Sequence, residues 1–113
     1  MMDQGIVYYI RRGGLIKIGY TARFVNRMRA LAPDELLAVE PGNLRLEAGR
    51  HQQFAAFRVE GREWFAPEPE LLAHIALMAS IYETPPLPPM PVPRIGNAAL
   101  DEWGGIPGKF LVA

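Results

Sequence analysis

The sequence predicts a small α/β domain: a mostly antiparallel three-stranded sheet flanked by helices in the order β-β-α-β-α-α, followed by a proline-rich C-terminal arm. Three observations predict it. Ile6-Val7-Tyr8-Tyr9-Ile10 and Leu15-Ile16-Lys17-Ile18-Gly19-Tyr20 are short runs rich in β-branched and aromatic residues on either side of Gly13-Gly14, the pattern of a β-hairpin. Phe24, Met28 and Leu31 recur at i, i+4, i+7, an apolar helical stripe. Glu35-Leu36-Leu37-Ala38-Val39-Glu40 lies between the turn signals Pro33-Asp34 and Pro41-Gly42, a run too short for a helix and read as the third strand.

The remaining elements follow in order. A two-residue hairpin loop, either Arg12-Gly13 or Gly13-Gly14, puts Tyr8 and Lys17 on one face of the ribbon. Thr21 is the expected N-cap of a helix from about Ala22 to Leu31. Asn43 caps a second helix, from about Leu44 to Arg58, whose apolar side carries Leu46, Phe54, Ala55, Ala56 and Phe57. On it Glu47 and His51, four apart, point the same way. Gly61 closes that unit, and Glu63-Trp64-Phe65-Ala66-Pro67 reads as a tight corner with Trp64 and Phe65 in the core. A third helix runs from Glu68 to about Glu83, with Pro69 tolerated in its first turn and Leu71, Leu72, Ile75, Met78 and Ala79 facing a core. His74, without a partner in the pattern, reads as structural.

At 113 residues, half of them apolar, the chain is long enough for one modest core and is not disordered throughout. The domain is expected over residues 1–83 and the arm over 84–113. Pro85 to Pro93 alternates prolines with Leu87, Met90 and Val92, so polyproline II is expected there: a stiff linker or docking segment. Beyond it Leu100, Trp103, Ile106, Phe110 and Leu111 want burial, on the domain or on a partner protein or second copy. With no cysteine there is no disulfide framework and no thiolate zinc site. Met1-Met2-Asp3-Gln4 does not open a signal peptide and no apolar run spans a membrane, so a cytoplasmic protein is expected.

Net charge is zero, but it is unevenly distributed. Residues 1–32 carry six basic groups against Asp3 alone, a net +5, while residues 33–83 carry four against nine acids, a net −5. A basic hairpin and helix can track phosphates by displacing condensed counterions. Arg11, Arg12, Arg23 and Arg29 are the candidate DNA-binding residues.

Val7-Tyr8-Tyr9, then Lys17-Ile18-Gly19, then Arg27 eight residues after Gly19, resembles the GIY-YIG nuclease superfamily, and most of all its short phage-type branch with K-I-G in the second half of the signature. Leu46-Glu47-x3-His51-x2-Phe54 and Gly61-Arg62-Glu63-Trp64-Phe65 extend the resemblance over about residues 5 to 76. It implies a DNA endonuclease that hydrolyses phosphodiester bonds with Mg²⁺ or Mn²⁺. Tyr8 would orient or deprotonate water, Lys17 would favour its phenolate, and Arg27 would fork onto phosphate oxygens. Glu47 would ligate the metal, and His51 would protonate the leaving oxygen or contact phosphate. Many members have a second tyrosine in place of Lys17 and a lysine in place of Tyr20, so Tyr20 is the rival water activator, although strand alternation points it away from Lys17 unless the strand ends or bulges at Gly19. Two other classes stay open: a nucleic-acid-binding module of the same fold with little or no cleavage, and a protein-interaction piece acting through the arm.

Overall fold

A computed structural model of the chain describes residues 5–61 and 63–89. Strands β1 (Gly5–Arg12) and β2 (Leu15–Thr21) form the expected hairpin. Arg12 pairs with Leu15, so the loop is Gly13-Gly14. Gly13 turns the chain with φ 61°, a left-handed conformation that a residue with a Cβ adopts at a cost. Strand β3 (Glu35–Gly42) lies antiparallel to β1 on its other side. A register shift between Tyr9 and Ile10 bulges β3 at Leu37.

The sheet has five strands, not three, in the order β3-β1-β2-β5-β4. The expected long second helix, α2, stops at Gln53 (Leu44–Gln53), and Ala55–Phe57 follows as a single 3-10 turn. This break swings the fully buried Phe54 into the core. The chain then forms β4 (Arg58–Glu60) and β5 (Trp64–Phe65), a small antiparallel pair hinged near Gly61. Strand β5 pairs with Ile16 and Lys17 of β2. The segment read as a helix end and a corner therefore extends the sheet. Strands of two and three residues are too short to show an alternating pattern.

Helix α1 (Phe24–Leu31) starts two residues later than expected. The Thr21 hydroxyl accepts the Arg23 N–H at 2.8 Å, a side-chain turn just before the helix rather than a cap on it. At α2 the expected cap is present: Asn43 Oδ1 accepts the Leu46 N–H at 3.0 Å. Helix α3 spans Pro69–Ile81, with Pro69 in its first turn.

Strand alternation sorts the core into two layers. On one face Tyr8, Ile10 and Val39 pack under Met28, with Phe24 and Leu31 of the α1 stripe beside them. On the other, Val7, Tyr9, Ile16, Ile18, Ala38, Phe54 and Phe65 pack with Leu71, Ile75 and Met78 of α3. Leu72 and Ala79, expected in that core, are exposed. Trp64, also read as core, is half-buried and joins neither layer.

The described start of the arm turns back onto its own domain. Leu87 packs on the Tyr8, Ile10, Met28 and Val39 layer, and the Pro89 carbonyl accepts from Arg29 Nε at 3.3 Å. Arg62, the prolines past Pro89, and Leu100, Trp103, Ile106, Phe110 and Leu111 lie outside the described residues.

Candidate active site on the hairpin face

The hairpin register places Tyr8 opposite Gly19 and Ile10 opposite Lys17. Directly paired residues project to one face, so Tyr8, Lys17 and Gly19 share it, as the sequence predicts. The reason for glycine at position 19 is steric. A Cβ there would lie 2.3 Å from the Tyr8 hydroxyl and 2.4 Å from the ring carbon bearing it. Only a residue without a side chain lets the Tyr8 ring lie flat across β2 and carry its hydroxyl toward the far side of that strand.

Helix α1 crosses this face and delivers Arg27, whose Nε donates to the Tyr8 hydroxyl at 3.4 Å. Tyr8 is fully buried while Arg27 is exposed, so the guanidinium stands between the phenol and solvent. Burial pushes the Tyr8 pKa up, the hydrogen bond and charge of Arg27 oppose that rise, and the charge of Glu47 adds to it. The Lys17 ammonium lies in contact with the Glu63 carboxylate, and 5.7 Å from the centroid of the Trp64 ring. Burial, then the like charge of Arg27, push its pKa down, against the pull of Glu47. The cation on the phenol is therefore Arg27 rather than Lys17, and the phenol is held in its neutral form.

Glu47 sits in the first turn of α2, where a carboxylate also favours the helix dipole. Its charge acts on both Tyr8 and Lys17. It is half-buried, and among the described residues it forms no salt bridge. No cluster of three or more His, Cys, Asp or Glu that could hold a metal ion occurs among the described residues. One free carboxylate suits Mg²⁺ or Mn²⁺, ions that keep most of their waters, and does not suit a zinc cage.

One turn on, His51 Nε2 lies 2.7 Å from the Ile18 carbonyl and the ring meets Phe65 edge-on, centroids 5.3 Å apart. A carbonyl only accepts, so Nε2 carries the proton and Nδ1 is the nitrogen left for other work. The contact pins α2 to the edge of β2 where the short β5 has ended, beside Gly19. Tyr20 is on the opposite face, paired with Val7, its ring against Gly5. The structure does not bring it together with Tyr8, Lys17 and Arg27.

The four candidate DNA-binding arginines fare differently. Arg11 is engaged by Asp34 at 3.5 Å and Glu35 at 3.3 Å, and Arg29 by the Pro89 carbonyl. Arg12 lines an open cleft of about 450 Å³ with Leu15, Gly61 and Trp64. Arg23 and Arg27 line another of about 300 Å³ with Thr21, Asn26 and Ala30.

The sequence reading misses a second polar cluster, on the other face of the sheet. Glu40, nearly inaccessible, receives Arg50 Nε and Nη2, both at 2.9 Å, and the Tyr9 hydroxyl. His74 Nε2 lies 2.9 Å from the Tyr9 hydroxyl and 3.8 Å from Glu40, so His74 has the partners its helix pattern did not show. Burial raises the Glu40 pKa, but the hydrogen bonds from Arg50 and Tyr9 outweigh it and hold the carboxyl below its ordinary value. Burial pushes the Tyr9 phenol far up, with Glu40 adding to the rise. Burial, then the Arg50 charge, lower that of His74. Arg50 lies between Glu47 and His51 on α2, so this cluster locks the helix that presents them.

Fold and site together define a small α/β domain carrying a Tyr-Lys-Arg-Glu cluster at the edge of a hairpin. The chain belongs to the T5orf172 domain family, whose model matches residues 5–79. No curated protein and no solved structure matches it. No helix of the described residues is long and apolar enough to cross a membrane.

Proposed function

We propose that the chain is a divalent-metal-dependent endonuclease that hydrolyses phosphodiester bonds in DNA. The observation that carries this reading is the Tyr8–Arg27 hydrogen bond on the face that also holds Lys17, with Glu47, unpaired among the described residues, acting on both Tyr8 and Lys17. T5orf172 domains are phage-associated and linked with nuclease families, which agrees with the resemblance to the GIY-YIG superfamily.

Hydrolysis needs a water in line with the leaving oxygen and positive charge at the phosphate. Arg27 is exposed and can fork two donors onto phosphate oxygens. A phosphate that draws the guanidinium outward uncovers the Tyr8 hydroxyl, whose oxygen then accepts a hydrogen bond from the attacking water and orients it. Lys17 adds positive charge beside the same phosphate. Glu47 would hold a Mg²⁺ or Mn²⁺ ion, which supplies stabilisation of the developing negative charge. His51 can act only through Nδ1 while Nε2–H stays on Ile18.

A second reading, a nucleic-acid-binding module without cleavage, is favoured by two observations: the phenol is fully buried, and Lys17 is already engaged by Glu63. Incubation of the purified protein with supercoiled and branched DNA, with and without Mg²⁺ or Mn²⁺, beside Glu47→Ala, decides between them. Metal-dependent nicking by the parent and none by Glu47→Ala supports the nuclease. DNA binding at micromolar concentration with no cleavage under either metal supports the module.

A further inference from the structure

Helix α1 and the returning arm cover only the β3–β1 half of the hairpin face, since every residue of that core layer comes from β1, β3, α1 or the arm. The β2–β5 half contributes nothing to that layer: Arg12 is exposed, Leu15 and Trp64 are half-buried, and Lys17 is buried. Along it stand Arg12, Leu15, Lys17 and Trp64. Arg12 pairs with Leu15 and Lys17 with Trp64, and alternation along β2 puts all four on the face that carries Tyr8. Trp64, Leu15, Arg12 and Gly61 enclose the open cleft of about 450 Å³.

Trp64 is half-buried and joins neither core layer. It lies two strands from β1, about 10 Å from the Tyr8 strand at ordinary strand spacing. Arg12 supplies a cation at the cleft, while the Lys17 ammonium, 5.7 Å from the ring centroid, is engaged by the Glu63 carboxylate. An apolar floor, an indole and an arginine at the lip are what a nucleobase needs. The base stacks on the ring while its phosphate meets Arg12. Bases inside a duplex have no free face to offer, so the cleft selects a base that is unpaired or extruded.

We infer that the Trp64 cleft is a nucleobase-binding site that directs the candidate active site to nucleic acid carrying an unstacked base. This rests on the nucleic-acid reading above and names the substrate class within it. One strand would touch both places, its base in the cleft and a neighbouring phosphate at Arg27.

The test is a binding titration of the full chain without divalent metal, so that no cleavage intervenes. A Trp103→Phe background makes Trp64 the only tryptophan emitting. Two duplexes of one sequence are compared, fully paired and with a single unpaired base. The unpaired base is expected to bind about tenfold more tightly, on the scale of one base–aromatic stack, and to quench Trp64 emission. Trp64→Leu should abolish that preference and Trp64→Phe restore most of it, whereas a merely structural Trp64 would lower both affinities alike. Arg12→Ala, at an exposed hairpin tip, should weaken the unpaired-base complex with the fold intact. Equal affinity for the two duplexes with unchanged Trp64 emission overturns the cleft and leaves the nuclease reading standing. Binding to neither duplex, together with no nicking in Mg²⁺ or Mn²⁺, overturns both.

Discussion

Tyr8 and Tyr9 are neighbours in one strand, yet the two faces of the sheet treat them oppositely. Each tyrosine has an arginine and a glutamate acting on it. Behind Tyr9 the set is closed: Arg50 and Glu40 meet through two hydrogen bonds, and the phenol and His74 complete the shell. Around Tyr8 it is open, because Arg27 and Glu47 form no salt bridge with each other and each acts separately on the phenol. Charges that satisfy one another hold a fold together. Charges left unpaired on a covered hydroxyl remain available to a ligand that brings its own. The closed set also serves the open one, since Arg50 fixes the helix carrying Glu47 and His51.

The largest effect expected from breaking the contrast is on the open side. Glu47→Ala should abolish metal-dependent nicking while unfolding free energy shifts by no more than about 1 kcal/mol, since this half-buried side chain forms no salt bridge among the described residues. Nicking at the parent rate would show that Glu47 is not the ligand. On the closed side Glu40→Ala should lower unfolding free energy by about 3 kcal/mol, because it leaves the Arg50 charge and the Tyr9 hydroxyl without their acceptor. Denaturant titration measures this, and a change below about 1 kcal/mol would mean the cluster does not clamp α2.

The same cluster sets a pH dependence. Glu40 has its carboxyl pKa held below the ordinary value of 4.5, so its stabilisation is present above that value and is lost as pH falls through the lower folded-state value. Acid unfolding below pH 4.5 should therefore be steeper in the parent than in Glu40→Gln. Identical acid limbs would place the linkage elsewhere.

The smallest effects separate the arginines. Arg12→Ala and Arg23→Ala should each reduce the salt slope of DNA binding by about 1, one phosphate contact apiece. Arg11→Ala and Arg29→Ala should change it less, since acids or the arm already engage those side chains. Equal reductions at all four would show that DNA displaces both sets of contacts.

The open side was largely legible in the sequence and the closed side was not. Two-residue periodicity around Gly13-Gly14 is enough to put Tyr8 with Lys17, and the spacing of Phe24, Met28 and Leu31 is enough to orient α1. Asn43 announces α2 by its capping chemistry. The Glu40 cluster joins residues 10, 31 and 34 positions apart from Glu40, on strands and helices whose packing no local pattern encodes. β4 and β5 escape because two or three residues show no period, and with them went the exposure of Trp64. The place of Gly19 beneath the Tyr8 ring, and the return of Leu87 onto α1, are contacts that exist only in three dimensions.

The most direct measurement pairs the two tyrosines. Tyr8→Phe and Tyr9→Phe each remove one oxygen, and each variant is assayed for DNA nicking with Mg²⁺ and for unfolding free energy. Tyr8→Phe is expected to slow cleavage at least about a hundredfold, the lower share of general acid–base catalysis, with stability and DNA affinity nearly unchanged. Tyr9→Phe is expected to lose about 1–3 kcal/mol of stability, the penalty for stripping a buried acceptor of one donor, with cleavage preserved in the folded fraction. Tyr20→Phe, on the far face, should change neither rate nor stability by much. If cleavage is detectable and Tyr8→Phe leaves its rate intact, or if Tyr9→Phe slows it equally at unchanged stability, the division of the sheet into a working face and a closed face is wrong.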